Sequence, residues 1–161
     1  MIKIGSRVCV STKGICDIED IKKNAFVGCE KNKEYYILRP VDAANNMVVY
    51  LPTDTKLKIR NLISKEEARG IFENFDNIGE IKSTDEDRMN EYNTIVQNGD
   101  AECVAKLLKT LLIRKSKANK KQFSYQEQKY LNMAMNSLVS EISVVLEKEK
   151  QEIENRFLEI V

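Results

Sequence analysis

The chain has 161 residues, 42% of them hydrophobic and 32% charged, with a net charge of +1. This composition excludes general disorder and a strongly basic nucleic-acid-binding protein. Neither an apolar run of about 20 residues nor a signal-peptide-like start occurs, so we expect a cytoplasmic protein without membrane contact.

Histidine is absent from the chain, which removes the commonest general base near neutral pH and a leading zinc ligand. Ser-His-Asp triads, Cys-His pairs and HExxH sites are therefore excluded. We expect no enzyme, no cofactor and no small-molecule substrate. The cysteines lack CxxC spacing, and we expect three of them to be buried as small apolar residues: Cys9, Cys16 and Cys29.

Up to about residue 62 the pattern predicts short strands separated by turns and loops. The β-prone runs are residues 7–10, 15–23, 35–39 and 47–51. Gly14 and the pair Asn45-Asn46 provide turn chemistry, residues 24–33 read as a loop, and Pro52 closes the last run. Four or five strands in about 60 residues predict a small, bent barrel of the SH3 type.

From residue 64 the apolar period changes to that of helices. Ser64 with Glu67 and Ser124 with Glu127 have capping-box spacing, and an apolar-periodic segment follows each pair. Gly99 ends a segment between them, and residues 147–161 form either a continuation or a last short helix. The change of period near residue 63 predicts an α+β protein of two units, residues 1–62 and 63–161.

A basic cluster without an intervening acid is one candidate functional surface. Its members are Lys106, Lys109, Arg114, Lys115, Lys117, Lys120 and Lys121. A solvated charged surface and a phosphate-contacting surface are both open interpretations.

The apolar run at residues 47–51 is a second candidate, because its flanking proline places it near a sheet edge. An exposed edge can accept a partner's strand, although cover by the helical unit is an equal alternative. We expect Tyr35, Tyr36 and Tyr50 to be half-buried structural residues. Asp17, Glu19 and Asp20 are expected to be solvated strand acids rather than metal ligands.

Several motifs occur together in one order along nearly the whole chain. They are Gly5-x-x-Val8, Gly14, Tyr35-Tyr36-x-Leu38, Val49-Tyr50-Leu51-Pro52, Asn98-Gly99-Asp100 and Phe123-Ser124-x-x-Glu127-x-x-x-Leu131-x-x-Ala134-x-x-x-Leu138-x-x-Glu141. This combination resembles the CarD family of bacterial transcription regulators. The N-terminal unit of that family is similar to the RNA-polymerase-interacting domain of transcription-repair coupling factors.

The resemblance implies a Tudor-like domain at residues 1–62 that binds the RNA polymerase β-subunit through a strand edge. It also implies a helical DNA-binding domain at residues 63–161, which meets promoter DNA near the upstream edge of the melted region and modulates open-complex stability. The polymerase-binding positions would be Asn24, Val48, Val49, Tyr50, Leu51 and Pro52. The DNA-binding positions would be Arg88, Met89, Lys109, Arg114, Lys115 and Lys129.

This chain also departs from the family pattern. Relatives often carry a tryptophan wedge at the start of the second helix, but here acids occupy residues 85–87 and tryptophan is absent. Met89 is the nearest apolar candidate for a wedge, and a core position is the alternative. We expect charge reversal of Lys109 and Arg114 to weaken promoter effects without unfolding. An SH3-like adaptor with no DNA contact remains the alternative function, and a carboxylate-based hydrolase is a distant third.

Overall fold

The computed structural model describes residues 2–42, 46–118 and 122–161. The chain divides into two compact units, residues 1–62 and 63–161, each with its own buried core. Three residues named in the sequence predictions lie outside the described ranges. They are Asn45 of the predicted turn, and Lys120 and Lys121 of the basic cluster.

Over the part of the first unit that the structure describes, the chain forms a five-stranded antiparallel sheet with the strand order β4-β3-β2-β1-β5. The strands are β1 (Arg7–Val10), β2 (Gly14–Lys23), β3 (Glu34–Pro40), β4 (Val49–Pro52) and β5 (Ile59–Asn61). The four predicted runs correspond to β1–β4, although β4 begins two residues later than predicted and includes Pro52. The five strands agree with the predicted four or five, but the position of β5 was not predicted, because its three residues offer no periodic signal.

Side chains from β1 to β4 build the core of this unit. Its buried members are Val8, Val10, Cys16, Ile18, Leu38 and Leu51. A register shift between Ile18 and Asp20 interrupts the pairing of β2 with β3, as a β-bulge does. This core supports the Tudor-like, α+β architecture that the sequence predicts.

The strand acids form ion pairs across the sheet. Asp17 contacts Arg7 on β1 at 2.7 Å, and Glu19 contacts Arg39 on β3. The guanidinium of Arg7 holds the pKa of the Asp17 carboxyl below its usual range. Within the described residues, no three His, Cys, Asp or Glu side chains are grouped as a metal site requires.

In its described residues, the second unit has five helices around one apolar core. The helices are α1 (Lys65–Glu73), α2 (Arg88–Asn98), α3 (Ala101–Lys117), α4 (Tyr125–Leu146) and α5 (Lys150–Leu158), with a 3-10 turn at Phe75–Asn77 between α1 and α2. The rings of Phe75 and Phe157 meet in this core, with their centroids 4.4 Å apart. Over the described ranges, no helix is both long and apolar enough to span a bilayer.

Local side-chain chemistry sets the helix boundaries. Both predicted capping boxes form, because Ser64 and Ser124 accept backbone N–H groups while the glutamates three residues on bond back. Gly99 ends α2 in the left-handed conformation, with φ +71°. A left-handed residue, Glu147, also ends α4, so the C-terminal segment is a separate helix rather than a continuation.

Two of the three cysteines follow the burial prediction. Cys9 and Cys16 are buried in the sheet, and burial raises the pKa of the Cys16 thiol to about 11. Cys29 is half-exposed in the β2–β3 loop, so the burial prediction was wrong there. The reason is that loop residues have no regular face against which a core can form.

Candidate functional site

Strand β4 lies at one end of the sheet, which confirms its predicted place near an edge. It pairs with β3, and no second strand pairs with its outer side in the described part of the chain. The opposite edge strand, β5, is three residues long and polar at Arg60 and Asn61. Short, polar edges resist pairing with other chains, so β4 is the better acceptor of a partner.

The side chains of β4 alternate between two faces of the sheet. Val49 and Leu51 pack against the core, whereas Tyr50 points away from it and is 40% exposed. Val48 is half-buried just before the strand, and Pro52 pairs with Tyr35. Of the predicted polymerase-binding residues on this strand, Tyr50 therefore presents the most accessible side chain.

An aromatic cluster beside β4 was not predicted from the sequence. Phe26 contacts Tyr50 with ring centroids 4.7 Å apart, and it meets the buried Tyr35 edge-on at 5.1 Å. Phe26 is 37% exposed and its neighbour Val27 is fully exposed. The sequence signal of this patch was a run of three adjacent apolar residues, Ala25 to Val27, in an otherwise polar loop.

Asn24 directly follows β2 and adopts the left-handed conformation, with φ +53°. Its side-chain oxygen accepts a hydrogen bond from the backbone N–H of Asn32 at 3.4 Å. Asparagine tolerates this conformation better than most residues do. Asn24 is exposed. Its left-handed backbone and this hydrogen bond shape the loop that carries Phe26.

Three cations of the predicted DNA-binding set have partners within the helical unit. Arg88 forms an ion pair with Asp85 in the preceding turn. Arg114 and Lys109 are each held by another element of the unit, and both are partly buried. Their charges are therefore less available than the sequence suggests.

Lys109 on α3 binds the turn that follows α1. Its ammonium donates to the backbone oxygen of Asp76 at 2.7 Å and also to that of Ile78. Arg156 on α5 donates to the oxygen of Glu73 at 2.7 Å and to the Asp76 carboxylate at 3.0 Å. This ion pair lowers the pKa of Asp76. The two cations thus satisfy carbonyls that the end of a helix leaves free.

Arg114 joins the end of α3 to the start of α4. Its guanidinium lies 2.7 Å from the Oε1 atom of Glu127, whose side chain is 3% exposed. The other oxygen of Glu127 accepts the backbone N–H of Ser124 at 3.0 Å and completes the capping box. Arg114 is therefore primarily a partner for a buried carboxylate.

The remaining members of the predicted DNA-binding set divide between surface and core. Lys115 and Lys129 are exposed on α3 and α4, as is Lys117 of the basic cluster. Met89 is half-buried and packs against the helical core, in line with the core alternative rather than a projecting wedge.

A cleft of about 500 Å³ lies between the start of α2 and the end of α3. Arg88, Arg114 and Lys117 contribute cations to its wall, while Glu80 and Asp85 contribute acids. Because both signs are present, the cleft has no strong preference for a phosphate. The exposed lysines around it are the better candidates for phosphate contact.

The two units correspond to two protein-family models. A model described as CarD-like/TRCF RID domain matches residues 2–63, and one described as CarD, C-terminal domain matches residues 75–158. A search among curated proteins found no match. Since the C-terminal model alone covers more than half of the 161 residues, the chain belongs to the CarD family and is an RNA polymerase-interacting transcription factor.

Proposed function

We propose that the chain binds the β-subunit of RNA polymerase through the free side of β4. The observation that carries this proposal is the edge position of β4 beside the exposed Phe26–Tyr50 pair. A partner strand would gain backbone hydrogen bonds along β4, and the aromatic pair would cover its apolar side chains. The strand and its adjoining loop would be held in place by the other predicted contact residues: Asn24, Val48, Val49, Leu51 and Pro52.

The test is a pull-down with the N-terminal lobes of the polymerase β-subunit. Tyr50→Glu changes an exposed side chain, and we expect at least about a tenfold loss of affinity from a charge facing an apolar contact. Val49 is less suitable, because it packs against the core. The matched control is Asn61→Glu, which places the same charge on the opposite edge strand and should bind normally. Failure of the wild type to bind would remove the proposal.

The helical unit would act on promoter DNA near the upstream edge of the melted region. Lys115 and Lys129 would contact phosphates directly, with Arg88, Lys109 and Arg114 adding positive potential and Met89 supporting them from the core. Contacts made only in the open complex shift the closed-to-open equilibrium. A coupling of roughly 1–3 kcal/mol would change its population about 5- to 150-fold.

The internal pairing of Arg88, Lys109 and Arg114 favours a second candidate, an SH3-like adaptor that makes no DNA contact. The two functions differ in salt dependence, since each phosphate contact contributes to the slope of affinity against salt. We would favour the adaptor if the polymerase-bound protein changes open-complex stability and neither Lys115→Gln nor Lys129→Gln alters that change. In both functions the chain is a binding protein rather than an enzyme.

A further inference from the structure

The outward face of α4 differs in chemistry from the rest of the helical unit. Between Tyr125 and Leu146 the only acids are Glu127 and Glu141, and they are 2% and 1% exposed. The solvent-facing part of this 22-residue helix therefore carries no carboxylate, although 25 of the chain's residues are acidic. A polar surface without negative charge suits a negatively charged partner.

Four exposed residues form one stripe along this face, at spacings of four, three and four. They are Tyr125, Lys129, Asn132 and Asn136. Residues at these spacings lie on the same side of a helix. From the first to the last the stripe is roughly 17 Å long, about five steps of a nucleic-acid duplex.

Tyr125 is the most exposed aromatic residue of the described chain, at 85%. No aromatic ring contact or hydrogen bond holds its side chain within the described ranges. It stands in the first turn of α4, and the exposed Lys129 lies one turn further along the same side of the helix. An aromatic ring beside a cation is the combination on which nucleic-acid bases stack.

We propose that the Tyr125–Asn136 stripe binds DNA at the junction between duplex and single strand, with the ring of Tyr125 stacked on an exposed base. Lys129 contacts a phosphate, and the amides of Asn132 and Asn136 hydrogen-bond to the backbone or base edges. This inference rests on the proposed DNA function of the helical unit and adds a stacking residue to it. It gives that unit an aromatic contact on α4 rather than in the acidic turn at residues 85–87, which precedes α2.

The test compares a fluorescently labelled fork-junction DNA with a blunt duplex of the same sequence, using the full chain at several salt concentrations. Tyr125→Ala should weaken fork binding about 5- to 150-fold, the range expected for one base stacked on an aromatic ring. The slope of affinity against salt should stay unchanged. Tyr125→Phe keeps the ring and should bind the fork like the wild type.

Lys129→Gln is the contrasting variant. It should weaken fork and duplex binding alike and reduce the salt slope by about one, as loss of a phosphate contact does. A 2-aminopurine placed at the first unpaired position supplies a spectroscopic readout. Its fluorescence should be quenched by the wild type and by Tyr125→Phe, but not by Tyr125→Ala. Because Tyr125 is exposed, all variants should keep the wild-type melting temperature.

Unchanged fork binding by Tyr125→Ala would overturn the stacking proposal. An equal loss of affinity for the fork and for the duplex would also overturn it. Weaker polymerase binding by Tyr125→Ala without DNA would assign the stripe to a protein contact instead. If the wild type alters open-complex lifetime while Tyr125→Ala behaves identically, only this inference fails. If the wild type neither binds the fork nor alters that lifetime, the proposed DNA function fails with it.

Discussion

Lys109 and Lys115 lie six residues apart on α3, yet their ammonium groups have different surroundings. Lys109 is partly buried and donates to the backbone oxygens of Asp76 and Ile78, whereas Lys115 is exposed. Two lysines that look equivalent in the sequence therefore have different roles. The expectation that charge reversal of Lys109 and Arg114 would leave the fold intact does not suit these contacts, because both residues satisfy groups of neighbouring elements.

We predict that Lys109→Met lowers the free energy of unfolding of the helical unit by about 1–3 kcal/mol, because two carbonyl groups lose their donor. Lys115→Met should change it by less than about 0.5 kcal/mol, as most exposed substitutions do. Urea denaturation followed by circular dichroism measures both. Equal stabilities of the two variants would contradict the assigned role of Lys109.

At the scale of elements, the ends of the helices show how local chemistry divides the second unit. Gly99 is well suited to the left-handed turn that ends α2. Glu147 ends α4 in a similar conformation, with φ +55°, but it carries a Cβ atom and a negative charge. The Cβ atom is unfavourable in the left-handed conformation, and the negative charge is unfavourable at the C-terminal end of a helix.

Glu147→Gly should therefore stabilise the helical unit by about 1 kcal/mol, because it relieves the left-handed strain and removes the acid from the helix terminus. The control is Glu149→Gly two residues later, where φ is −65° and glycine brings no conformational benefit. Thermal denaturation compares the two variants with the wild type. A melting temperature for Glu147→Gly at or below that of Glu149→Gly would refute this account.

At the scale of the whole molecule, the two units differ in how much core supports them. Among the described residues, the helical unit has twenty buried apolar residues in one cluster, and the corresponding cluster of the sheet unit has six. A domain of about 60 residues buries only about 60% of the surface that its unfolded chain exposes. The sheet unit should consequently be the less stable of the two.

We predict that residues 63–161, expressed alone, fold cooperatively with helical circular dichroism. Residues 1–62 alone should unfold at a lower urea concentration, yet should still bind the polymerase β-subunit if β4 is the contact. An unfolded 63–161 fragment would disprove the autonomy of the helical unit. Polymerase binding that requires the full chain would place part of the interface outside the sheet.

The sequence by itself determined the features that arise from contacts between near neighbours. The Ser64 and Ser124 capping boxes act over three residues, and Gly99 acts through its own backbone, so each could be recognised from residue type and spacing. The β-prone runs that correspond to β1–β4 and the later change of period near residue 63 likewise predicted the two units. Motifs in a fixed order then pointed to the family.

Only the tertiary structure decided which side chains of the candidate sites are accessible. The Phe26–Tyr50 contact joins residues 24 positions apart, Lys109 reaches back 31 residues to Ile78, and Arg114 spans 13 residues to Glu127. Such contacts depend on how elements pack, and residue spacing along one helix or strand does not encode them. The same packing buries both acids of α4 and leaves Tyr125 exposed, which is why the stripe on that helix could not be read from the sequence.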